Sequence, residues 1–171
     1  MRKELGRKLR KYILEQMKNK HPEFEPVDFT SSVRSELLFR INLSQTLSCF
    51  ILFVISSKQD CFTIEVAWSK ETEFPINNLP NKLENNSMRM RISSLLNNGD
   101  HWWWIDDTFS FENTKGFSLD DWLTLQNRPV EEVIHNIVPQ VNNAFERIQE
   151  YVLPYFEKVA KEHGYDFRAN Q

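Results

Sequence analysis

LSCFILFVISSKQDCFTIEVAWS, residues 47–69, decides how this chain folds. In its second half Phe62, Ile64, Val66 and Trp68 share one side of an extended chain, and Thr63, Glu65, Ala67 and Ser69 share the other. Such alternation marks an antiparallel sheet with one dry face. The first half, residues 47–56, is apolar on both sides and suits a central strand. SSKQD between the halves is a short turn, so the two predict a hairpin.

The same period of two extends outward. In LLFRINLS, Leu37, Phe39, Ile41 and Leu43 share a side, with Leu38, Arg40, Asn42 and Ser44 opposite. MRMRISSLL fits a strand with Met88, Met90 and Ile92 inside and Arg89 and Arg91 outside. It also fits a helix pairing Met88 with Ile92 and Leu95; strand is favoured for its first half. NNGD is a turn signal leading into HWWWIDD, residues 101–107, where Trp102 and Trp104 share one side and Trp103 and Ile105 the other.

Helical periods flank these strands. RKELGRKLRKYILEQMKNK places Leu5, Leu9, Tyr12, Ile13 and Met17 in one stripe, and the prolines of HPEFEP end it. SLDDWL is a serine-capped short helix. From Val130 to Val159 apolar residues step by three or four, with Pro139 and Pro154 expected to kink or restart the helix and Gly164 to stop it. The order predicts one α+β domain over residues 1–171: a basic amphipathic helix at 1–21, an antiparallel sheet at 35–106 and helices at 118–163 packed on it.

Composition removes several functions. The four glycines are far apart, which argues against a P-loop, a dinucleotide fingerprint and a hydrolase elbow. Cys49 and Cys61 form no metal spacing and read as buried free thiols. No apolar run approaches the roughly 18 residues of a membrane span. The basic N-terminus leads into an amphipathic pattern, not a signal region. A cytosolic protein without membrane, metal or cofactor is the expectation.

The polar side of the sheet holds the candidate site. It gathers Arg40, Glu65, Arg89 and Arg91, with Asn42 and Thr63, and Trp102, Trp104 and Asp106 from the tryptophan strand. Guanidinium beside indole suits an anionic or planar ligand. The competing reading is structural: Arg40 with Glu65 as a cross-strand pair and tryptophans at the core edge. Asp100, His101, Asp106, Asp107 and Glu112 are too poorly spaced for a metal and read as solvated strand ends. No nuclease-like lysine follows Glu65, and no spacing selects a catalytic triad.

FTIEVAWSKETEFP at 62–75, RMRISSL at 89–95 and the WWWI strand before a final helix ending LPYFEKV resemble a loose group of small bacterial proteins of unknown function. The likeness spans residues 35–160. It implies a bacterial α+β domain with no established activity and no catalytic residue to carry over. Such proteins often lie beside toxin–immunity or phage-defence genes, and the resemblance implies that setting.

Three functional expectations follow. The first is a non-enzymatic binding protein acting through a protein partner, its oligomeric state open. The second is a nucleic-acid binder using Arg7, Lys8, Arg10 and Lys11, since eight of the 21 Lys/Arg fall in residues 1–20 although the net charge is −3. The third, which the spacing disfavours, is a metal-dependent hydrolase or nuclease.

Overall fold

In a computed structural model, which describes residues 1–28, 36–71, 73–75, 86–97 and 101–167, the hairpin takes the register its pattern requires. Strands β3 (Ser48–Ile55) and β4 (Cys61–Ser69) pair antiparallel, with Phe53 opposite Ile64 and Ile51 opposite Val66. Strands β1 (Glu25–Val27) and β2 (Glu36–Asn42) extend the sheet on the β3 side. The far edge of β4 is shared. β5 (Ser87–Arg91) covers Glu65 to Ser69, and β6 (Trp103–Trp104) covers Cys61 and Phe62. Among the described residues this is a six-stranded antiparallel sheet in the order β1-β2-β3-β4-β5, with β6 also on β4. The ambiguous stretch after residue 87 is strand through Arg91, then one helical turn, α2 (Ser93–Leu96).

Every second residue of the central strands β2, β3 and β4 enters the main core, whereas Met88 on β5, expected inside, is 39% exposed. Phe39, Ile51, Phe53, Phe62, Ile64 and Val66 meet α1 (Lys3–Lys20) and the C-terminal helices α6 (Ile137–Arg147) and α7 (Leu153–Glu162). From α1 come Leu5, Leu9, Ile13 and Met17; Tyr12, also expected in the stripe, is half-buried and donates its hydroxyl to Asn142 at 3.2 Å. Phe53 sits at the centre, its ring centroid 5.9 Å from both Phe39 and Phe145. The tryptophan strand divides as its alternation requires. Trp103 stacks on Phe62 at 5.3 Å and donates its indole N–H to Asn143 at 3.0 Å, and Ile105 is fully buried.

The C-terminal helical stretch answers its prolines by changing pitch. A short helix α5 (Val130–Val133) and a 3-10 turn (Ile134–Asn136) precede α6, which places Pro139 in the first turn of α6, where N–H groups need no intrahelical partner. Before Pro154 the helix widens into a π turn over Ile148–Val152, which accommodates the missing N–H and the bulk of the ring. Gly164 ends α7 at φ +80°: Tyr165 N–H reaches Ala160 O at 2.9 Å and Gly164 N–H reaches Lys161 O at 3.1 Å, a Schellman closure. Helix does not run unbroken from residue 118. Leu125 and Pro129 have extended backbone, and Pro129 restrains the residue before it.

The reverse side of the sheet differs from expectation. Its centre is a second apolar cluster of Leu38, Phe50, Leu52 and Ala67, covered by Phe74. Phe74 comes from the connection after β4, whose residues 72 and 76–85 lie outside the described residues, as does most of the NNGD turn. The reason is in β3. A strand apolar on both sides needs cover on both, and Phe74 meets Phe50 edge-on at 5.6 Å. Truncating Phe50 to Ala is therefore expected to cost about 3–5 kcal/mol, as much as truncating Phe53 on the main face. Urea unfolding of the two variants measures this; a Phe50 variant within about 1 kcal/mol of wild type would show that the reverse face is not packed.

Candidate binding surface

Register places the predicted residues on the reverse side of the sheet. One cross-strand row reads Glu25, Arg40, Phe50, Ala67, Arg89, and the next reads Val27, Leu38, Leu52, Glu65, Arg91. Trp104 stands opposite Cys61 on that side, and the Arg91 guanidinium lies 5.5 Å from the Trp102 ring. Arg40 does not meet Glu65, because β3 stands between them. Glu65 instead accepts from Arg89 Nε, and Arg89 lies 4.8 Å from the Phe74 ring. Arg40 is opposite Glu25, and its buried Nε has no hydrogen-bond partner among the described residues. Arginine and tryptophan thus flank an apolar centre and do not line one open polar floor.

Asp106 leaves that side altogether. It is neither a groove residue nor a solvated strand end but one of two carboxylates buried at the end of β6 and the turn before β4. Asp60 is 3% and Asp106 1% exposed. Arg2, just before α1, joins them. Its backbone N–H and Nε donate to the two oxygens of Asp60 at 2.8 and 2.6 Å, and its Nη2 donates to Asp106 at 2.9 Å. Its Nη1 donates to the Arg128 carbonyl. Asp106 also accepts from the Arg128 N–H at 3.0 Å and from the Thr108 hydroxyl at 2.6 Å. The Arg128 guanidinium continues to Asp107. Burial alone would raise the Asp106 carboxyl. Hydrogen bonds from Thr108 and Arg128 outweigh it and hold the group below the ordinary carboxylate range.

This knot closes a loop. The chain leaves the sheet at Asp106 and returns to the same carboxylate at Arg128, 22 residues later. A 3-10 turn (Asp107–Phe109), α3 (Phe111–Thr114) and α4 (Leu119–Thr124) lie between. Helices this short are unstable alone, and each start is capped. Asp106 receives the Thr108 N–H, Ser110 receives the Asn113 N–H, and Ser118 with Asp121 forms a capping box. Yet the apolar side chains of the loop point outward. Phe111 is 75%, Leu119 74% and Leu123 76% exposed, with Phe117 and Trp122 at 40% and 41%. Trp122 gathers Phe109 and Phe117, both at 6.4 Å between centroids. Asp107, Glu112, Asp120 and Asp121 of the same loop are also exposed.

Sequence reasoning read SLDDWL as a capped helix but did not name this surface. Five large apolar residues between 111 and 123 with no long period to bury them was the available signal.

On α1, Arg7, Lys8 and Lys11 face solvent and Arg10 is half-buried. Lys8 pairs with Glu4 at 3.4 Å and Lys11 with Glu15 at 3.8 Å. Beside them runs a groove of about 800 Å³ whose lining includes Gly6, Arg7, Arg10, Lys11, Leu14 and Ile55.

No metal-sized group of His, Cys, Asp or Glu converges among the described residues. Of the carboxylates considered for a metal, Glu65, Asp106 and Asp107 are each bound to arginine, and Asp100 lies outside the described residues. Cys49 and Cys61 are free and buried in opposite faces of β3 and β4, and burial pushes the Cys61 thiol up to about 12. No helix among the described residues is long and apolar enough to cross a membrane. In comparison with known proteins, the chain matches no family, and no curated protein or solved structure is significantly similar to it.

The knot makes a signed prediction. A carboxyl lowered on folding adds stability above its unfolded value of about 3.9, and that increment is lost as pH falls through the folded value. Arg2→Met is expected to cost about 3–5 kcal/mol at neutral pH, because it leaves Asp60 and Asp106 buried with one cation fewer. The cost should shrink as pH falls through the lowered Asp106 value, where that carboxyl is protonated and no longer needs a cation. Urea unfolding at the two pH values checks it; an equal cost at both would mean that Arg2 acts through packing alone.

Proposed function

We propose that this protein is a non-enzymatic binding module that engages a protein partner through the loop at 107–128. The observation that carries the reading is the outward placement of Phe111, Leu119 and Leu123, each about three-quarters exposed on capped helices. Folded chains expose isolated apolar residues freely, but five large apolar side chains exposed between residues 111 and 123, with exposed acidic residues among them, have the make-up of an interface. Leu119, Trp122 and Leu123 fall at helix spacing i, i+3 and i+4, the anchor pattern of a helix laid into a groove. The resemblance to small bacterial α+β proteins supports a bacterial cytosolic setting, beside toxin–immunity or phage-defence genes. Arg91 with Trp102 and Trp104, outside the covered centre of the reverse face, supports a smaller secondary contact.

A photoreactive residue at position 119 or 123, introduced in the native cells, tests the proposal. The expected outcome is a discrete protein adduct at both positions and none at Lys158 on α7, which is also exposed. Adduct levels at 119 and 123 no higher than at 158 would remove the reading.

The exposed Arg7, Lys8 and Lys11 support a second reading, nucleic-acid binding along α1. Each phosphate neutralised lowers log K by about 0.9 per decade of salt. An Arg7→Ala, Lys11→Ala variant should bind duplex more weakly with a shallower salt slope. The same weak binding in both proteins at low salt would dismiss it.

A further inference from the structure

We infer that two copies of this chain associate reciprocally, the apolar edge of α4 in each copy seated in the basic groove beside α1 of the other. The inference rests on the reading of the loop as a protein-binding surface and names its partner. Two independent features carry it. The groove has apolar lining that includes Gly6, Leu14 and Ile55, and charged lining in which Arg7, Arg10 and Lys11 outnumber Glu15, the partner of Lys11 at 3.8 Å. Leu14 is 41% exposed, so that part of the groove is uncovered in the single chain. The helix has the opposite character: Leu119, Trp122 and Leu123 on one edge and Asp120 and Asp121 beside them. A greasy, net positive trough and a greasy, negatively flanked helix are complementary in shape class and in charge.

Position adds a third argument. Arg2 lines the groove and also donates to the carbonyl of Arg128. Only three residues separate Thr124 from Arg128, a reach of about 14 Å from the end of α4 to the knot. Helix and groove therefore lie at the same end of the molecule. Two surfaces close together on one copy can meet their counterparts twice about a single two-fold axis, which closes the assembly at a dimer. A six-residue helix covers little area, and the repetition doubles it toward the roughly 1,000 Å² that a specific interface needs. The Ser118–Asp121 capping box holds α4 formed beforehand, so little ordering is lost on docking.

Sedimentation of the purified full chain over a range of concentrations is the test. Wild type is expected to show a monomer–dimer equilibrium that weakens with salt. Leu119→Ser with Leu123→Ser should weaken it about a hundredfold or more, since two leucines lose their burial. The thermal midpoint should hold, because both side chains are already exposed in the monomer. Charge reversal in the groove, Arg7→Glu with Lys11→Glu, should leave monomer, as should Asp120→Lys in the helix. Mixing these two variants should restore dimer: one contact is wild type on both sides and the other has its charges exchanged. A Leu14→Cys chain mixed with a Leu123→Cys chain should form a mixed disulfide on oxidation. Wild type that stays monomeric at millimolar protein overturns the inference. So does a dimer that survives the leucine variants, or a mixture that stays monomeric. A foreign protein cross-linked at 119 together with a monomeric purified chain would sink self-association and leave the proposed function standing.

Discussion

One guanidinium holds two buried carboxylates. Asp60 and Asp106 are almost wholly removed from water, and each ion would cost several kcal/mol uncompensated. Arg2 donates to both at once, which a planar fork can do and a lysine ammonium does poorly. Its position is what matters. Asp60 ends the turn before β4 and accepts the Ile105 N–H through its backbone carbonyl at 2.8 Å. Asp106 follows the tryptophan strand, and Arg2 is the N-cap just before α1. Helix, hairpin and final strand are thereby fixed to one another at a single end of the sheet.

That arrangement explains why the fold was legible in the sequence and the knot was not. Period-two alternation from Leu37 to Ser69 is a local signal. It set the strands, the dry face and the division of Trp103 and Ile105 from Trp102 and Trp104. The partners of Arg2 lie 58 and 104 residues away, beyond any periodicity. Only one oddity pointed there: a cation just before a helix N-terminus opposes the helix dipole unless carboxylates meet it. The reverse face shows a different limit. Leu38, Phe50 and Leu52 stood on the side read as polar, and a β3 apolar on both sides already required cover. The cover was Phe74, one aromatic in a stretch with no repeat. Alternation says that a face is greasy and nothing about which distant residue lies on it.

The same limit applies to the loop. SLDDWL is recognisable as a capped helix because capping is a matter of three or four neighbours. Whether Leu119 and Leu123 turn inward depends on where the base of the loop is anchored, and the base is the knot. Residues 125–129 lie outside helix and strand, and the Arg128 N–H and guanidinium both return to the aspartates. Both ends of the loop are thus tied to one carboxylate.

A tether of that kind restricts where α4 can go. With Asp106 at one end and Arg128 at the other, its leucines stand outside the main core, to which α1, α6 and α7 contribute. They do not fill the groove beside α1 of their own chain either, for they stand about three-quarters exposed. Caps and tether together hold an apolar edge in water, at a cost of roughly 25 cal/mol for each Å² left uncovered. A single chain gains nothing in stability from that geometry. It becomes favourable when a second protein surface removes the edge from water, as the inferred docking on the α1 groove of another copy would do.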